Sequence, residues 1–107
     1  MDTVNLAAAF AGISTYWSPQ TVAMLNDYEV KLVKVCGEFV RHAHAQTDEL
    51  FLVLHGELMI RLRDDEIRLG PGELYVVPRG VEHQPFAAAE AQILLLEPGG
   101  TINTGDR

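Results

Sequence analysis

Two imidazoles and a carboxylate are close together in the chain: His42, His44 and Glu49. On an extended backbone, residues i and i+2 face the same side, so His42 and His44 turn both rings toward one space. Imidazole nitrogens and a carboxylate oxygen are suitable donors for a divalent transition metal. The stretch Ala45-Gln46-Thr47-Asp48 lets the chain turn, and Glu49 then opens the next strand beside the end of the first. Along that strand Glu49, Phe51, Val53 and His55 share one face, and Leu50, Leu52 and Leu54 share the other. A glutamate at the head of an apolar face needs a partner, because an unpaired buried carboxylate is costly. A cation held by two imidazoles is such a partner. The His-x-His spacing also occurs as a surface pair or a hydrogen-bonded core pair, and spacing alone leaves these readings open.

Strands must position these residues. Residues 57–63 alternate, with Leu58, Ile60 and Leu62 between Glu57, Met59, Arg61 and Arg63, the pattern of a strand with one buried face. Ile67 and Leu69 continue that face after a turn at Asp64-Asp65. The apolar runs 74–77 and 93–96 read as strands buried on both faces. Further turns are expected at Asn26-Asp27, Gly37-Glu38, Ala45 to Thr47, His55-Gly56, Gly70-Pro71-Gly72 and Pro78-Arg79-Gly80. Near the N-terminus, Asn5 caps a short helix that Gly12 ends. A strand at 20–25 pairs through Asn26-Asp27 with one at 28–36. Short apolar runs punctuated by turns, with no βα alternation, indicate an antiparallel all-β barrel or sandwich.

The whole chain sets bounds on this reading. Its 107 residues suffice for a single domain, residues 1–107. Fifteen acidic residues against eight basic ones give a net charge of −7, which repels phosphate backbones and anionic membranes. No nucleic-acid or membrane partner is therefore expected. Cys36 is the only cysteine, so no internal disulfide forms, and it reads as a small buried hydrophobe. Ala7-Ala8-Ala9 has the small residues of a leader cleavage site, but Asp2 and the shortness of the apolar run argue against a signal peptide. No run is long enough for a transmembrane helix. A cytoplasmic location is expected.

Two longer motifs carry a resemblance. Gly37-Glu38-Phe39-Val40-Arg41-His42-Ala43-His44, then Glu49 and Gly56, resembles the first signature of the cupin superfamily, over residues 37–56. Gly72-Glu73-Leu74-Tyr75-Val76-Val77-Pro78-Arg79-Gly80-Val81-Glu82-His83 resembles the second, which extends to residue 87. The short connection between them and the close at Glu97-Pro98-Gly99 are similar to small single-domain cupins of the mannose-6-phosphate-isomerase-like type. Two positions depart from the family pattern. One residue fewer separates Gly37 from His42, and Ala87 stands where an asparagine is frequent.

The resemblance implies a double-stranded β-helix, the cupin jelly roll, following the short N-terminal helix that Asn5 caps. It also brings His83 to His42, His44 and Glu49 as a fourth metal ligand. Gly56, Gly72, Gly80 and Pro78 then read as residues of the fold. The implied cofactor is one divalent transition-metal ion, with Fe, Mn, Zn and Ni all suited to the donors. Three imidazoles and a carboxylate leave open positions on an octahedral ion, where water or a substrate oxygen can enter. The implied function is a metalloenzyme acting on a small polar metabolite, of dioxygenase, isomerase or lyase type. The alternatives are a metal-dependent module that binds a small, sugar-like ligand without turnover, and a metal that only fastens the barrel. No general base is identifiable besides the ligands. His55, Glu82, Gln84, Arg61 and Arg63 read as exposed, and Phe39, Phe51 and Tyr75 as core. A homodimer is expected, with Leu50, Leu52 and Leu54 as its surface.

Overall fold

The alternating runs form strands that pair antiparallel throughout, in a computed structural model that describes residues 3–101 together with 104 and 105. The order is α1 (Leu6–Ala11), β1 (Gln20–Leu25), β2 (Tyr28–Glu38), β3 (Glu49–His55), β4 (Leu58–Arg61), β5 (Glu66–Leu69), β6 (Leu74–Val77) and β7 (Gln84–Pro98). Neighbours in the sheet run β1-β2-β7-β3-β6, and β4 joins β5 to β7. The mostly-β fold is the one the resemblance implied, and the short leading helix is the one Asn5 and Gly12 predicted.

Strand β7 organises the barrel. Its second half pairs with β2 and β3, and its first half with β4 and the end of β2. The β2 register jumps from Val35↔Ala91 to Gly37↔Ala87, leaving exposed Ala88, Ala89 and Glu90 unpaired with β2. Gly37-Glu38 is therefore not the turn expected from sequence. Both residues continue β2 through a bulge, and Gly37 takes a left-handed φ of 82° there. Gly56, at φ 83°, lets the β3–β4 connection lie against β7. A Cβ on it would come within 2.9 Å of the Ala91 backbone.

The inner faces of β2, β3, β4 and β7 supply the main core: Val33, Val35, Phe51, Val53, Leu58, Ile60, Ala87, Ala91, Ile93 and Leu95. A second cluster lies on the outer side, where Phe10, Ile13 and Leu32 pack with Leu54 and Leu94. Helix α1 brings Phe10 there, capped by Asn5, whose side chain accepts from the Ala8 amide at 2.9 Å. The helix thus covers part of the outer face of 93–96, where Leu94 and Leu96 are half-buried.

The run 74–77 differs from expectation. Leu74 and Val76 are exposed at 55% and 42%, because β6 ends the strand order and no element among the described residues covers its outer face. Cys36 is half-buried rather than buried, since alternation from the inward-facing Val33 and Val35 puts it on the outer face of β2.

Candidate metal centre

His42 and His44 do not sit on a regular strand. They lie in the extended connection between β2 and β3, and His42 forms an isolated antiparallel bridge with His83. The His42 amide donates to the His83 carbonyl at 2.9 Å, and the His83 amide returns a bond of 2.8 Å. The i, i+2 argument survives because the local backbone is extended. The second motif also holds His44: the Gly80 amide donates to its carbonyl at 2.8 Å, from a turn that Gly80 makes at φ 77°. Glu49 opens β3 opposite Val77. Gly105, at φ 85°, closes in behind, where a Cβ would meet the Ala43 carbonyl and His42 Cβ at 2.7 Å.

Ligand atoms of His42, His44, Glu49 and His83 all lie within 4.8 Å of one another, and all four residues are buried. The two bridge-forming histidines are oriented alike. His42 Nδ1 lies 2.8 Å from the Val40 carbonyl, and His83 Nδ1 lies 2.9 Å from that of Val81. A carbonyl only accepts, so each Nδ1 carries a proton and each ring turns its Nε2 inward, the atom that would bind a cation. Glu49 Oε1 stands 3.3 Å from His83 Nε2 and 3.6 Å from His44 Nε2. These donors fit a divalent transition metal in type, number and tautomer.

The electrostatics agree with a cation site. Burial lowers the His42 pKa, partly opposed by the Val40 hydrogen bond, which favours the neutral form that coordinates. Burial alone would raise Glu49, but the imidazoles of His44 and His83 beside it outweigh that and keep the carboxylate ionised well below the usual range. Beside it lies a residue that the sequence reading left without a role. Glu97 is fully buried on β7 and accepts from Lys31 Nζ at 2.9 Å. Its pKa is pushed up to about 7, first by burial and then by the neighbouring Glu49, against the pull of Lys31. Its Oε2 has no hydrogen-bond donor among the described residues. Two facing carboxylates both only accept, so they attract when Glu97 keeps its proton.

The other residues singled out from sequence stay outside the cluster. His55 is exposed at the end of β3. Glu82 is exposed and paired with Arg41. Gln84 is half-buried rather than exposed, donating to the Phe39 carbonyl at 3.0 Å. Arg61 is half-buried too, paired with Glu38 and lying over the Phe86 ring, whereas Arg63 is exposed. Phe51 presents its ring to His83 at 6.1 Å. Buried Ala87, in the position where asparagine is frequent, sits opposite Gly37. A cavity of about 30 Å³ borders His42 and Glu49, walled by Trp17, Pro19, Val33, Phe39, Pro85 and Leu95. Phe39, expected in the core, is one of its walls, and Trp17 is a wall that no sequence pattern marked.

Known proteins are similar to this chain in sequence and fold. The sequence profile of the cupin domain matches residues 30–99. A cupin-2 domain containing protein from Shewanella frigidimarina is 50% identical, with a TM-score of 0.88 over 89% of this chain and 93% of its own. Protein NMB1881 from Neisseria meningitidis is 27% identical, with a TM-score of 0.83 over 92% of this chain and all of its own. The uncharacterized protein YdbB of Bacillus subtilis is 37% identical over 81 residues, 75% of this chain and 72% of that one. With the profile spanning most of the chain and the jelly roll shared with these structures, this protein belongs to the cupin family.

Proposed function

We propose that this cupin holds one divalent transition-metal ion through His42, His44, Glu49 and His83, and acts through it as a metalloenzyme on a small molecule. The observation that carries this reading is the combination of a buried four-donor cluster with a cavity that borders two of the donors. A purely structural metal is normally sealed by its ligands, whereas a site that reacts or binds keeps a position for an exchangeable group. When bound, the ion supplies Lewis-acid or oxygen-activating chemistry at that position. The chain's own part is to present two fixed Nε2 atoms, keep Glu49 anionic and exclude bulk water with the cavity walls.

One observation favours a second reading, a binding module without turnover. The cavity walls other than His42 and Glu49 are all apolar, so no further side chain there can hold or move a proton. Exchange of a bound ligand without product formation would decide for this reading.

Elemental analysis of untagged protein purified without chelators tests the metal directly. About one transition-metal ion per chain is expected, with loss in both His42→Ala and His83→Ala. Stoichiometric metal retained in both variants would overturn the assignment.

We also propose a homodimer, built on the outer sheet face where Leu50 and Leu52 on β3 adjoin exposed Leu74 and Val76 on β6. Leu54 drops out of that surface because it packs into the cluster around Phe10. Only monomer in sedimentation at micromolar concentration would refute the dimer. No helix among the described residues is long and apolar enough to cross a membrane, and the lone Cys36 suits a cytoplasmic site of action.

A further inference from the structure

We infer that the cavity beside the metal centre recognises a ligand with an oxygen-donor end and a flat apolar body, and that Trp17 and Phe39 are the walls that select the body. This rests on the metal reading above and narrows its substrate class.

The cavity has two unlike parts. Its polar groups are His42 and Glu49, both metal ligands in this reading, and its other walls are hydrocarbon. The volume of about 30 Å³ beside these two groups admits only a small polar end. Only the donor end of a ligand fits there, and the rest must lie against the half-buried walls, Trp17, Phe39 and Pro19. A sugar-like molecule would lose water from several hydroxyls there and find no partner on these walls, which is costly. A planar apolar group loses little and gains contact with an aromatic face.

Trp17 is built into this position. Its φ of 59° is left-handed, a conformation that a bulky residue adopts only when its surroundings impose it. The Trp17 amide donates to the Lys34 carbonyl at 2.9 Å, and the indole N–H donates to the Cys36 carbonyl at 2.9 Å. The indole stacks on Phe39, with centroids 4.9 Å apart and planes at 21°, and Phe39 meets His42 edge-on at 5.6 Å. A continuous aromatic wall thus runs from Trp17 to a metal ligand. With its N–H engaged by Cys36, the indole offers the ligand its ring surface.

Two hydroxamates test this on zinc-loaded protein. Acetohydroxamate and benzohydroxamate carry the same oxygen-donor end and differ in a methyl against a phenyl group. Calorimetry reads their affinities, and emission from Trp17, the only tryptophan, reads contact with the wall. Benzohydroxamate should bind about tenfold tighter and shift the emission, as burial of a ring face predicts. In Trp17→Ala and the bulkier Trp17→Leu the preference should fall to about threefold or less, with one zinc per chain retained. Equal affinities in the wild-type protein, which needs no variant to fold, would overturn the inference while leaving the metal centre standing. An unchanged preference in a zinc-loaded variant would do the same. Failure to bind zinc at all would instead overturn the metal reading, and this inference with it.

Discussion

The two ends of the barrel interior are built from the same three strands and differ in every property that matters. At one end Val35, Val53 and Ala91 come from β2, β3 and β7, and all are buried among hydrocarbon. At the other, the same inward faces end in Lys31, Glu49 and Glu97, beside the three histidines. Alternation fixes which side chains point inward and leaves their polarity free. The polar end is tolerable because its polar groups engage one another: Lys31 with Glu97, and Glu49 with His44 and His83. The apolar end is packed hydrocarbon, and the polar end gathers the donors of the candidate metal centre.

The largest contrast comes from placing one charge at the apolar end. Ile60 is fully buried with no polar partner in its cluster, so Ile60→Asp should leave the protein unfolded at 25 °C, a loss of about 4 kcal/mol or more. Far-UV circular dichroism and thermal melting would show it. A folded Ile60→Asp protein would mean that the core does not carry the stability.

At the polar end, removing a ligand should cost the metal and leave the fold. His83→Ala should melt close to metal-free wild type. Saturating metal should stabilise wild type by about 4 kcal/mol at a thousandfold excess over Kd, and the variant hardly at all. Equal stabilisation of both by metal in a melting assay would remove His83 from the centre. A smaller effect is expected behind the site, where Gly105→Ala sets a Cβ against the Ala43 carbonyl and His42 Cβ in a left-handed conformation. It should weaken metal binding roughly tenfold by displacing His42, an effect of the size seen when support of a ligand is lost. Chelator competition measures it, and unchanged affinity would show that the C-terminal segment does not position His42.

Much of this was legible in the sequence, for identifiable reasons. Leu58 and Ile60 alternate cleanly, so their strand and its buried face could be read directly. His42, His44 and Glu49 are close in the chain, and a short extended segment with a turn suffices to bring them together. His83 is 34 residues from Glu49, and no local pattern links them; only the second motif did. Exposure of Leu74 and Val76 could not be read from an apolar run, since it depends on β6 being last in the sheet. Trp17 was invisible because its place depends on a backbone angle and on carbonyls of β2. Glu97 was readable in principle. It continues the inward face of Ile93 and Leu95, and the argument applied to Glu49 at the head of its strand applies to a glutamate at the tail of another.

That glutamate gives the finest test of the comparison, through pH. In the metal-free protein the Glu97 pKa is raised from 4.5 to about 7. The native state then binds more protons than the unfolded state across that interval, so stability falls as pH rises from about 4.5 to about 7. This sign is opposite to that of a carboxylate held by a salt bridge. Glu97→Gln keeps an acceptor for Lys31, supplies a permanent donor toward Glu49 and has no proton to lose. It should flatten the decline in denaturant midpoint over that interval while leaving the fold intact. Metal should flatten it as well, because a cation at Glu49 relieves the repulsion between the two carboxylates. A decline of the same slope in metal-free Glu97→Gln would assign the pH response to another group and leave Glu97 as a partner of Lys31 alone.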